Sequence, residues 1–167
     1  MDITAKELSN ITEIKLSYSN TVNPNERPQI NNSWDAYQLL LKCWDHEKIE
    51  MVMQYKVLLM NTKSRVLGLV NIASGSAFSV PIDYKQIFAA TIKSGATSMI
   101  VAYNHPSGDS KPDNAEIAVG KKLENAAKLL DIRLLDNLII TLDGYYSFQD
   151  EGITSYKLPD SHLDCKG

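Results

Sequence analysis

Cysteine is nearly absent from this 167-residue chain, which carries only Cys43 and Cys165. Widely separated, these two offer neither a disulfide framework nor the paired spacing of a zinc site, so a reducing cytoplasm is the expected setting. Long apolar runs are also missing. The stretch from Met1 to Glu7 lacks the apolar core of a secretory signal, and nothing approaches the ~18 apolar residues of a membrane span. The expectation is a soluble, unexported protein with no membrane partner. Positive charge is scarce: 17 Lys and Arg face 20 Asp and Glu, for a net charge of -3 at pH 7. Binding to nucleic acid through phosphate neutralisation needs a basic surface, and no dense basic block exists. Lys121, Lys122 and Lys128 read instead as the solvated face of a helix. With eight glycines, six prolines and no repeat or low-complexity tract, collagen-like, disordered and coiled-coil chains are excluded.

What is present is the composition of an ordinary folded domain, 44% hydrophobic and 22% charged. The length suits one core. Alternation from Ile11 to Tyr18 predicts a strand in an N-terminal arm, followed by a polar, proline-interrupted connection from Asn20 to Pro28. A helix capped by Asn32 or Ser33 carries Trp34, Tyr37, Leu40, Leu41 and Trp44 on a core-facing stripe. Met53 to Met60 and Val66 to Ile72 read as a hairpin around Asn61-Thr62-Lys63-Ser64. Asp83 caps a second helix that stops at Gly95. Ser98 to Tyr103 is an apolar strand that breaks into Asn-His-Pro-Ser-Gly, and this junction is where a site is expected. A third helix runs from Asp113 to about Leu130, with Val119, Leu123, Ala126, Ala127 and Leu130 at helical spacing. Glu116 falls on the same inward stripe, an unusual place for a carboxylate. Ile132 to Thr141 and Tyr145 to Phe148 form a last strand pair around Leu142-Asp143-Gly144. The class is therefore α/β with a sheet that is not purely parallel.

The stretch Tyr103-Asn104-His105-Pro106-Ser107-Gly108-Asp109 carries further information. Together with Tyr55-Lys-Val-Leu-Leu-Met-Asn61, Gly144-Tyr-Tyr-Ser-Phe148 and Asp150-Glu-Gly152, it resembles the JAB/MPN metallopeptidase family, most closely its bacterial RadC-like branch, which is usually labelled DNA repair protein. The likeness runs from about Lys48 to Gly152. It implies a mixed, mostly antiparallel sheet flanked by helices, the JAB/MPN or cytidine deaminase-like architecture. It divides the chain into an arm strand and helix over 1–47, the RadC-like domain over 48–150 and a polar tail over 151–167.

The resemblance further implies a zinc hydrolase in which two His of a His-x-His element and a downstream Asp hold the metal. An upstream Glu acts as general base, and a Ser steadies the oxyanion. Three protein ligands leave zinc one open position for a water whose pKa drops toward ~7. In this chain the second His is His105 and the Ser is Ser107. The first His position holds Tyr103, the Asp position holds Glu116, and the base position holds Met53, which is neither a base nor a hydrogen-bond donor. Asp113 and Asn137 depart from the pattern as well. The metal candidates are thus His105 and Glu116, with Tyr103 at the third ligand position, and Ser107 is catalytic only if the centre works.

Each residue also has a structural role open to it. His105 can hold its loop through backbone hydrogen bonds, and Asp113 with Glu116 has the spacing of a capping box. Tyr103 can fill the space of the imidazole and metal while its hydroxyl bonds Glu116, and Ser107 can make the turn. Glu47 and Glu50 lie upstream of Met53, but Glu50 has the opposite strand parity and needs a bulge to reach the site. The leading expectation is a cytoplasmic RadC-like domain with an inactive centre and no cofactor, serving as a binding or accessory module for a protein or peptide, possibly in DNA repair. The alternative is an active Zn²⁺-dependent peptidase or isopeptidase with a rearranged ligand set. Direct nucleic-acid binding is a third class, opposed by the acidic balance. A sheet edge at the arm leaves homodimerisation open.

Overall fold

The computed structural model describes residues 15–155. The hairpin read around Asn61 to Ser64 supplies the first two strands, β1 (Gln54–Met60) and β2 (Val66–Ser74), paired antiparallel. Its turn is locked by the Asn61 carboxamide, whose oxygen accepts from the Lys63 and Arg65 amides at 3.0 Å each. Strand β3 (Ser98–Asn104) pairs antiparallel with β1, and β4 (Arg133–Ile140) pairs parallel with β3. Strand β5 (Tyr145–Ser147) returns antiparallel from β4 through the Asp143-Gly144 turn. The sheet order is β2-β1-β3-β4-β5. The mixed, mostly antiparallel α/β architecture expected from the sequence is therefore the one observed.

Three helices flank this sheet: α1 (Ser33–Lys42), α2 (Tyr84–Lys93) and α3 (Asn114–Leu129). Their N-caps are Asn32, Asp83 and Asp113, each accepting a backbone N–H that the helix itself cannot satisfy. After α2 the chain reverses at Gly95, whose φ of 67° suits a residue without a Cβ.

Strand β1 is buried on both faces, as a central strand must be. On one face Met53, Tyr55, Val57, Met99, Val101 and Tyr103 pack with Ile87 and Phe88 of α2 and Leu123 and Ala127 of α3. The other face carries Leu58, Met60, Ile100 and Leu138 beneath Ala36, Tyr37 and Leu40 of α1. Helix α3 approaches closely at Gly120, where an added Cβ would lie 3.0 Å from the Asn137 Nδ2 and from a Phe148 ring carbon.

Three expectations need correction. Trp34 is 54% exposed, because at the second helical position it tilts onto Tyr145 at the rim of the core instead of entering it. Leu130 is 46% exposed, since the helix has already ended and the chain turns through Asp131 at a φ of 54°. Of the arm strand, Ile11–Ile14 lies outside the described residues, and Lys15 to Tyr18 is irregular. That segment is held by a side chain instead of a ladder: the Tyr18 hydroxyl donates to the Leu67 carbonyl at 2.9 Å. Among the described residues no helix is long and apolar enough to cross a membrane.

Candidate functional site

Strand β3 delivers Tyr103, Asn104 and His105 to one end of the sheet, where the His105 amide still donates to the Ile140 carbonyl. A tight loop follows, closed by the Gly108 amide on the His105 carbonyl at 3.0 Å, with Gly108 at a φ of 82°. Helix α3 then opens with a complete capping box. Asp113 Oδ1 accepts the Glu116 amide and Glu116 Oε2 accepts the Asp113 amide, both at 2.8 Å. The capping role read from the spacing is therefore real, and it consumes one carboxylate oxygen of Glu116.

The other oxygen of Glu116 meets His105. Eleven residues apart in sequence, Nε2 and Oε1 lie 2.7 Å apart, while His105 Nδ1 lies 2.6 Å from the Asp109 carbonyl. Both ring nitrogens thus face oxygen acceptors, an arrangement that favours the protonated ring, which donates from each nitrogen. Burial alone would lower the His105 pKa. The hydrogen bonds to the Glu116 carboxylate and to the Asp109 carbonyl overcome it, and the net shift is upward from 6.5.

Tyr103 stands beside this pair, 5% exposed, its ring stacked on Tyr55 with centroids 5.9 Å apart and 5.5 Å from the His105 ring. Its hydroxyl is buried without a partner. The expected bond from Tyr103 to Glu116 is thus not made. Burial, reinforced by the nearby Glu116 carboxylate, drives the phenol pKa far above its ordinary value. Met53 is 7% exposed and lines the same wall.

Two cavities share Met53, Phe78, Asp113 and Glu116 and make one groove. The deeper one, of about 180 Å³, is walled by Tyr55, Val80, Ile82, Tyr103 and Val119. The outer one, of about 510 Å³, is bordered by Glu50, His105, Ser107, Asp109 and Lys111. Phe78, 92% exposed, stands where they join. Ser107 sits exposed on the lip, its Oγ accepting the Asp109 amide at 3.4 Å, a turn-making contact.

Glu50 on this border corrects the parity reading. Residues 45–52 form turns instead of an extension of β1, so strand parity does not govern where Glu50 points. The residue responsible is Asn104, which the sequence reading passed over. Fully buried, it donates to the Ile49 and Val52 carbonyls at 2.6 and 2.8 Å and accepts the Gln54 amide at 2.7 Å. An amide side chain immediately before the loop histidine is the signal that was there to be found.

The donor set does not fit zinc. Two ligand atoms sharing one tetrahedral zinc at ~2.0–2.1 Å stand roughly 3.3 Å apart, whereas Nε2 and Oε1 are at direct hydrogen-bond distance, 2.7 Å. Both nitrogens of the His105 ring are already engaged by hydrogen bonds. Among the described residues no group of three or more His, Cys, Asp or Glu side chains is arranged to hold an ion.

Comparison with known proteins adds the family relation. Residues 30–153 match the family model described as RadC-like JAB domain. A UPF0758 protein of Flavobacterium johnsoniae is 37% identical over 125 residues, 75% of this chain and 53% of the relative. A UPF0758 protein of Alkaliphilus metalliredigens is 33% identical over 125 residues, with the same two shares of 75% and 53%. One from Chlorobaculum parvum is 40% identical over 97 residues, 58% of this chain and 44% of the relative. The chain spans about half the length of the curated relatives it matches.

Proposed function

Since the chain belongs to the RadC-like JAB domain family, we propose that it is a member whose metallohydrolase centre is inactive and whose groove serves as a binding or accessory module for a protein tail or peptide. One observation carries this reading: at the position for a metal-bound imidazole, the His105 ring is paired directly with the Glu116 carboxylate at 2.7 Å. The residues around it agree. Met53 cannot abstract a proton, and general acid–base catalysis is a contribution of typically ~10²–10⁴-fold. Tyr103 fills the place of a further ligand with a hydroxyl that is sealed from the groove.

The groove that remains suits an extended chain segment. An apolar side chain fits the inner cavity between Met53, Val80 and Val119. Glu50, Asp109, Asp113 and Glu116 border the outer part against Lys111 and His105, which favours a neutral or basic peptide and opposes a phosphate backbone. A nucleic-acid-processing assembly is the setting that the family resemblance implies for such a partner. The expected result is that peptide and isopeptide turnover stays at background, equally with added Zn²⁺ and with chelator. Turnover that appears with Zn²⁺ and disappears on chelation refutes the inactive reading.

A second reading keeps activity and rests on Glu50, the carboxylate that shares the groove with His105 and Ser107. It requires Glu50→Gln to abolish turnover while the fold is retained.

A further inference from the structure

A second cleft lies where the C-terminal end of α1 meets β1 and β2. It measures about 600 Å³, within the range of small-molecule sites, and its walls include Lys42, Trp44, Gln54, Lys56 and Asn71. Lys56 is only 6% exposed. Its ammonium donates to the Asn71 carboxamide oxygen at 2.5 Å and lies 5.0 Å over the Trp44 ring. An ammonium has three N–H donors, and a buried charge is ordinarily paired with an opposite one. Among the described residues no carboxylate lies within 4.0 Å of this nitrogen. Asp45, on the same wall, is engaged by Lys48 at 3.1 Å.

Two further polar atoms on these walls are buried and unpartnered, the Trp44 Nε1–H and the Gln54 Oε1. Both atoms are closed off from the open space of the cleft, so they mark an incompletely satisfied wall behind it and are not themselves ligand contacts. We propose that this cleft binds a small organic oxyanion, a carboxylate or a phosphomonoester, held by the Lys56 ammonium, which lies over the Trp44 ring. Lys42 adds a second positive charge at the wall, in a chain whose overall charge is negative. Asn71 orients the ammonium. Burial holds the Lys56 pKa below the ordinary lysine value, with Cys43 and Asp45 offsetting it only in part. A bound anion must therefore raise it.

The test follows the two indole N–H signals, of Trp34 and Trp44, by NMR while inorganic phosphate or succinate is added at constant ionic strength, with sodium chloride as control. The expected result is a saturable shift of the Trp44 signal alone, with affinity in the millimolar range or tighter. Lys56→Met, which keeps the packed stem, should weaken it by about 10- to 100-fold. Saturation by phosphate alone assigns a phosphomonoester, and by succinate alone a carboxylate. Absence of saturation to ~50 mM with both, an equal shift with chloride, or undiminished binding by Lys56→Met overturns the proposal. Should Lys56→Met not fold, the Lys56 ammonium is titrated in the native protein: a pKa that rises with the anion supports the site, and one that stays put refutes it.

Discussion

Replacing Asn104 with Ala is expected to destabilise the domain by about 3–5 kcal/mol, because one side chain satisfies three backbone groups at once. The carboxamide spans β1 and the turn segment before it, joining the Ile49 and Val52 carbonyls to the Gln54 amide from a fully buried position. Its loss leaves three groups to find water. Ile49 is 1% exposed, so its carbonyl bears most of the penalty, while Val52 and Gln54 lie nearer the surface. For a domain of this size each kcal/mol moves Tm by roughly 2–4 °C, so a fall of about 10 °C or more is expected by circular dichroism. Asn104→Asp should not rescue it, since a carboxylate keeps the acceptor but sets negative charge against two carbonyl oxygens. A fall below about 1 kcal/mol would mean that Asn104 does not hold the segment carrying Glu50.

The pair between His105 and Glu116 predicts a pH-dependent effect. Side-chain exposures of 14% and 22% place it between a surface ion pair and a buried one, so His105→Ala should cost about 1–3 kcal/mol. The imidazole pKa is raised in the folded state, so folding favours the protonated ring. Its contribution is complete below the unfolded value, near ~6.5, and is lost as pH rises through the raised folded value. Native protein should therefore lose stability over that window in urea titrations, and His105→Ala should not. Glu116→Gln tests the same logic from the other side: a neutral amide can donate to a neutral ring, so the His105 pKa should fall below that of the native protein by NMR. Equal pH profiles for native and His105→Ala proteins would contradict the ion pair.

Much of this fold was legible in the sequence because its signals are local. Asp83 and Asp113 cap the helices they were expected to cap, and the Asp143-Gly144 turn closes its hairpin. His105 and Glu116 were singled out as neighbours across one site, and they touch. What sequence could not supply is the allocation of shared partners. Glu116 has two oxygens, and whether Tyr103 or His105 would claim one depends on a distance set by how α3 docks on the sheet. Glu50 was misread because parity applies only while a segment is a strand, and Asn104 holds that segment in turns from 50 residues or more downstream. Trp34 misled by its chemistry: a large aromatic ring reads as core, but at the start of α1 it can rest on Tyr145 and stay exposed. The buried ammonium of Lys56 had no sequence signature at all, since its neighbours Asn71 and Trp44 are brought to it only by the fold.

Zinc content is the most direct measure of the central claim that His105 and the Glu116 carboxylate close the centre on themselves. Protein purified without chelator and exposed to excess Zn²⁺, then desalted, is expected to retain far less than one zinc per chain, with the His105 ring still titrating as a cation. One tightly held zinc per chain in tetrahedral coordination, lost on His105→Ala and on Glu116→Ala, would contradict it.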